Sequence, residues 1–419
     1  MNSNLQLKNY SNEYIKNNII SLFDKDDLNN MKIIQKEEKI KIRFYNSLYE
    51  ELKEAFLYVL NLSANGSIKG ELTNVEIRNY NSYYMPENIN EYIIKNRKKQ
   101  LNYSHTFFGK VVAITFVIFK YNEDLDIYNK YAENMFVWLY ICCKYSRNNI
   151  CAKNLNVYIY HTPYLKYTIV NKSETFGTKH INSAFTTSCT NNGEIVIFRK
   201  EEWFKVFIHE TFHIFGFDFS MYNFDILKEE LKKIFPIKCE FSIIDSYCEV
   251  WARVINCAFT SFLSLKYKKY KNYKNFELYM NLLLEIERYY SLIQLTKILD
   301  CMDMKYSNLY KNDEKSKLLR INYKEETHLF CYYIISCLFL NDINGFIMWC
   351  FENNYEKNYN LFSIIKFNYS EKSLKSFSNY IKSIYKKKEI TQNIKNIKKN
   401  MNYFNNDNNS LRMSIIEYI

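Results

Sequence analysis

The stretch from residue 181 to residue 216 constrains this chain more than any other. Ile181-Asn-Ser-Ala-Phe-Thr-Thr-Ser188 reads as an extended strand, and Asn191-Asn192-Gly193 offers a turn built from residues that tolerate positive φ. Glu194-Ile-Val-Ile-Phe-Arg199 is a second strand, rich in β-branched and aromatic residues. Residues 200–215 then space apolar side chains at helical intervals. Glu201 and Glu202 are expected in the first turn, where the helix dipole favours acids, and Gly216 is expected at the C′ position. The predicted order is strand, turn, strand, helix.

On that helix lies His209-Glu210-Thr211-Phe212-His213. Histidines four apart sit one turn apart on one face, so both imidazoles can address one Zn2+ ion, with Glu210 alongside where a carboxylate reaches a metal-bound water. The 419 residues include only six histidines, so spending two here is informative. The bland alternative is a core helix that buries two histidines among Phe204, Phe207, Ile208, Phe212, Ile214 and Phe215; a zinc helix is equally apolar.

Catalytic zinc takes three protein ligands and leaves a fourth position for water. In the pattern HExxHxxGxxH, Gly216 falls at the glycine, but Phe219 stands where the third histidine belongs. Asp218, one place early, is therefore an alternative ligand, or else a turn or N-cap residue. A glutamate from a later helix is the other choice: Asp245-Ser-Tyr-Cys-Glu-Val-Trp-Ala-Arg253 contains Glu249 followed three residues later by the small Ala252, which permits close helix packing.

Around this core the chain divides into four stretches. Residues 1–35 read as a polar N-terminal arm and 36–150 as a mixed α/β domain. Residues 151–265 read as the catalytic core with the HExxH helix, and 266–419 as a helical C-terminal subdomain with a basic tail. The fold class expected is α+β. Net charge of +12 raises the question of a polyanionic partner, but the lysines are dispersed and the densest cluster, Lys386-Lys387-Lys388 with Lys395, Lys398 and Lys399, has few aromatics interleaved. Nucleic acid is thus not the expected partner. Eleven cysteines, an odd number without a CxxC pair, several in apolar runs, read as reduced thiols of an intracellular protein. The first 30 residues carry no secretory signal pattern, and no apolar run approaches the roughly 18–20 residues that span a bilayer, so no membrane partner is expected.

The pair of motifs, His209-Glu210-x-x-His213 and Glu249-x-x-Ala252, resembles the gluzincin branch of the zincin metallopeptidases. The stretch from Arg199 to Ser220, together with Leu411-Arg-Met-Ser414, is also similar to a family of zinc metallopeptidases of giant DNA viruses. The resemblance implies a zincin-like core, a polypeptide substrate, and a host cytoplasmic or virion location. It implies that His209, His213 and Glu249 bind zinc and that Glu210 acts as general base on the zinc-bound water, then protonates the leaving amine. It also implies that the edge strand, here Asn182–Thr187 with Ser183, Ala184 and Phe185, holds substrate in extended form. The oxyanion donor is expected from residues 325–333, either Tyr333 or His328. The competing expectation is a catalytically inactive zincin-fold protein with a structural or binding role in a virion or viral replication compartment. Oligomeric state is not read from the sequence.

Overall fold

The computed structural model describes residues 5–23, 38–76, 78–80, 82–169, 171, 174–265, 272–354, 360–400 and 409–418. The chain packs as two units: Ser47–Leu165 with Asn182–Met221, and Met1–Asn46 with Lys166–Ile181 and Tyr222–Ile419. These divisions differ from the four expected stretches. A cut after residue 150 separates two strands that pair with each other, and the boundary after residue 265 adjoins residues 266–271, which lie outside the described residues.

The first unit is built on one mixed six-stranded sheet, which gives the protein its α+β class. Its strands are β1 (Glu71–Asn74), β2 (Lys99–Phe107), β3 (Lys110–Ile118), β4 (Asn154–Thr162), β5 (Ala184–Thr186) and β6 (Asn192–Arg199), in the order β1-β2-β3-β4-β6-β5. β3, β4 and β6 are parallel, while β1, β2 and β5 run antiparallel to their neighbours. The helices of this unit are the larger part of α1 (Glu38–Ala64), then α2 (Glu87–Asn96), α3 (Asp126–Ser146) and α4 (Trp203–Ile214).

Alternation along the strands sorts side chains to the two faces. Val117, Tyr158, Tyr160, Val196 and Phe198 pack with Met85 and with Ile89 and Ile93 of α2. Gly193, Ile195 and Ile197 have the opposite parity and share the face on which α4 lies. Gly193 sits inside β6 rather than in the expected turn, and the reason is steric. A Cβ there would come within 2.5 Å of Ile214 Cδ1 on α4. α3 meets the same helix: the buried Trp138 indole donates a 2.8 Å hydrogen bond from Nε1 to Thr211 Oγ1.

α4 begins at Trp203, with Glu202 at its N-cap in the left-handed region (φ 47°, ψ 24°). Glu201 and Glu202 therefore precede the helix instead of occupying its first turn, and both are buried. β5 is the edge strand expected over 182–187, shortened to three residues in the register Ala184↔Ile197, Phe185↔Val196 and Thr186↔Ile195.

The second unit is helical, centred on α6 (Ile243–Leu263) and α7 (Tyr273–Cys301), with α5 (Asp225–Ile234) preceding them. Its C-terminal segment is core, not tail: Leu411, Ser414, Ile415 and Ile416 are all but inaccessible. Glu287 of α7 accepts hydrogen bonds from Ser414 Oγ (2.7 Å), Ile415 N (3.0 Å) and Ile416 N (3.1 Å). The described part of the expected polar arm is held as well. Leu7 bridges Tyr418, and Tyr14 meets the Tyr290 ring edge-on at 5.3 Å. The basic cluster belongs to a helix, Lys388–Asn400, and its approach; Lys387 pairs with Asp342 at 2.8 Å and Lys398 with Asp300. Among the described residues no single helix is long and apolar enough to cross a membrane.

Candidate metal centre

The HExxH helix is placed by three constraints already met: Gly193 below Ile214, Trp138 on Thr211, and a C-terminal cap at Gly216. The cap is a complete Schellman motif. The Phe217 amide donates to the Phe212 carbonyl at 2.9 Å and the Gly216 amide to the His213 carbonyl at 3.2 Å. Gly216 has φ +66°, the left-handed conformation that a Cβ disfavours, as the sequence predicts. The Phe212 and Phe217 rings meet edge-on at 5.9 Å, the apolar contact that accompanies such caps.

The consequence of the cap is chemical. It turns the chain back along the helix, so that Asp218 reaches the last histidine of the motif. Asp218 Oδ2 stands 2.5 Å from His213 Nδ1, and Asp218 Oδ1 accepts from the Ser220 amide (2.9 Å) and hydroxyl (2.7 Å). An ionised Asp218 fixes the His213 proton on Nδ1 and leaves the Nε2 lone pair pointing forward. That Nε2 lies 3.2 Å from His209 Nε2.

Two nitrogens on one tetrahedral zinc, each at about 2.0–2.1 Å, stand roughly 3.3–3.4 Å apart. The observed pair needs almost no rearrangement to bind one ion, so the two histidines fit the group. The same 3.2 Å is also the length of a plain N–H···N hydrogen bond between neutral imidazoles. Asp218 on the rear nitrogen is compatible with both, and it is also the arrangement found behind metal-ligating histidines. Glu210 and His209 are buried, at 8 % and 5 % exposure, and the His213 side chain retains 14 %. Asp218 thus meets His213 on Nδ1 with one oxygen and Ser220 with the other.

Of the residues expected to hold substrate, Ser183 and Ala184 are buried, and Phe185 of the edge strand packs edge-on against Tyr80 at 5.7 Å. The Ser183 carbonyl is used within the sheet, accepting from the Phe198 amide at 2.9 Å.

In the helical unit, Glu249 lies on α6 and is 1 % exposed. Its Oε1 accepts from Arg253 Nε at 2.8 Å, and the Arg253 guanidinium also stands 3.7 Å from Glu287 Oε2. Burial raises the Glu287 carboxyl above the usual carboxylate range against the opposing pull of Arg253. The Glu249 carboxylate thus has a buried cationic partner that the spacing of Glu249 and Ala252 gave no sign of. Asp245, one turn earlier on the same helix face, is a buried carboxylate that the sequence reading passed over. The two proposed oxyanion donors differ. The Tyr333 hydroxyl is buried and donates to the Leu411 carbonyl at 2.6 Å, which ties it to the C-terminal segment. His328 lies in a bend ahead of a π-helical turn, Phe330–Ile335, with its ring 6.4 Å from that of Tyr332.

No protein-family model, no curated protein and no solved structure matches this chain.

Proposed function

We propose that the protein is a zinc-dependent metallopeptidase with His209 and His213 as two of its metal ligands and Glu210 as its general base. The observation that carries this reading is the 3.2 Å separation of the two Nε2 atoms with Asp218 seated behind His213. Zinc, when bound, supplies the Lewis acidity that makes water nucleophilic near neutral pH and polarises a scissile carbonyl. Glu210 takes the proton of the attacking water and delivers it to the leaving amine. Asp218 keeps the His213 proton on Nδ1, so that Nε2 remains a ligand through the cycle.

The third ligand in this reading is Glu249, taken from the gluzincin-like spacing of Glu249 and Ala252. Its ion pair with Arg253 makes Asp245 the necessary comparison. The edge strand β5 would present an extended polypeptide, in keeping with a zincin-like core.

The test is zinc content and peptide hydrolysis for the wild type, Glu210→Gln, Glu249→Ala and Asp245→Ala. Glu210→Gln should keep zinc and lose at least about 100-fold in turnover, within the 10²–10⁴-fold range for a general base. Whichever of the two α6 variants loses zinc names the third ligand. A wild type that takes up no zinc from a zinc-replete medium ends the metal reading, and one that binds zinc without hydrolysing peptides favours the inactive zincin scaffold.

A further inference from the structure

The parallel pairing of β4 and β6 aligns Asn154 with Asn192. Cys151 and Cys189 each precede those partners by three residues, so the strand register carries them to the same end of the sheet. Two backbone hydrogen bonds extend the alignment outward, from the Asn154 amide to the Asn191 carbonyl (2.9 Å) and from the Ala152 amide to the Thr190 carbonyl (2.7 Å). The two cysteines are joined in a disulfide with their Cα atoms 4.6 Å apart, inside the range such bridges require. This corrects the expectation that all eleven cysteines are unpaired thiols: the other nine stand outside any disulfide, and seven of those are buried.

The bridge lies against the cap of the HExxH helix. A Cβ on Gly216 would meet Cys151 Sγ at 3.1 Å, Cys189 Cβ at 3.5 Å and Cys189 Sγ at 3.7 Å. The neighbouring Asn149 side chain donates from Nδ2 to the Phe215 carbonyl at 3.3 Å, the residue before the glycine. From Gly216 the chain runs two residues to Asp218 and so to His213 Nδ1. One covalent link therefore backs the turn that supplies the orienting carboxylate, and it also anchors the segment leaving edge strand β5.

We propose that Cys151 and Cys189 form a reversible disulfide latch that orders the turn at residues 216–220 and thereby tunes the zinc affinity of the site. The zinc part of this inference rests on the metallopeptidase reading; the ordering of the turn does not. In the closing direction the two thiols and one low-molecular-weight disulfide, RSSR, give the protein disulfide and two RSH, so that two electrons and two protons pass to the small disulfide. In the opening direction a small thiolate attacks Cys189, the more exposed of the two, expelling the Cys151 thiolate. A second thiolate then releases Cys189 and reforms RSSR.

The full chain is equilibrated with reduced or oxidised glutathione, and the state of the pair is read by peptide mapping. Zinc affinity is then measured by competition with a chelator, and amide hydrogen exchange of residues 216–220 is followed without metal. The expected result is faster exchange in the reduced protein and a zinc dissociation constant about tenfold higher, the low end of the effect of losing an orienting partner. Cys189→Ser and Cys189→Ala should match the reduced wild type and be insensitive to glutathione. Equal exchange in two states that mapping shows to differ, or failure of the bridge to form, overturns the latch. A redox-dependent turn in a protein that binds no zinc in either state overturns its coupling to metal and, separately, the metallopeptidase reading.

Discussion

His213 Nδ1 and Asp218 Oδ2 stand 2.5 Å apart because the Schellman cap at Gly216 folds the chain back by one turn of helix. The carboxylate meets the imidazole on Nδ1, while Nε2 faces His209.

Asp218→Asn should therefore bind zinc 10–100-fold more weakly while keeping the fold, since the amide can still meet Ser220 but no longer demands a proton on Nδ1. Zinc titration paired with thermal unfolding checks this. Unchanged affinity would show that His213 is oriented without Asp218.

Gly193→Ala should cost about 1–3 kcal/mol, the usual range for overpacking, because the new Cβ collides with Ile214. Ile214→Ala removes both atoms the new Cβ would meet, Cδ1 at 2.5 Å and Cγ1 at 2.6 Å, so the double variant should cost less than the sum of the two single changes. A double-mutant cycle from urea unfolding measures the coupling. Strict additivity would mean that α4 shifts as a body instead.

Glu325 supplies a pH dependence with a definite sign. Burial pushes its carboxyl up to about 8, although Tyr323 Oη (2.7 Å) and the Phe330 amide (2.8 Å) both donate to Oε2. The folded chain then holds a proton that the unfolded chain has lost between about pH 4.5 and 8, so this group makes stability fall as pH rises across that window. Glu325→Gln mimics the protonated form. Its urea midpoint relative to wild type should rise steadily from pH 5 to pH 8, and a constant difference would refute the assignment.

Arg253 lies between Glu249 and Glu287 with all three side chains buried. Replacing it with Met removes the buried cation between two carboxylates and should cost about 3–5 kcal/mol, the range for breaking a buried pair from one side. Adding Glu287→Gln should return part of that stability. An Arg253→Met protein as stable as wild type would mean that the carboxylates take up protons at little cost.

Much of the α+β arrangement was legible from periodicity. β6 and the capped α4 lie near their expected places, because each couples a clear hydrophobic period to an end signal such as Gly216. β2 was missed because Lys99-Gln-Leu-Asn-Tyr-Ser-His-Thr-Phe107 carries polar residues on a face of the sheet and so lacks an apolar run. Gly193 was read as a turn residue because nothing local distinguishes a glycine needed for φ from one needed for space. At the site, the four-residue spacing of the histidines was sufficient to place them on one face. Asp218 on His213 depends on cap geometry, Cys151 with Cys189 on strand register, and Arg253 between two glutamates on helix packing. Cys151 with Cys189, 38 residues apart, and Arg253 with Glu287 are long-range juxtapositions that no local pattern encodes.

The burial of the last described residues has a consequence for synthesis. Glu287 receives the Ile416 amide from 129 positions later in the chain. At ribosomal rates of about 5–20 residues per second, that partner follows roughly 6–26 s behind. The sheet unit, whose residues end at Met221, has all its strands by then. The helical unit must wait with the Glu287 carboxylate lacking its three donors, which makes it the part of a nascent chain expected to need a chaperone.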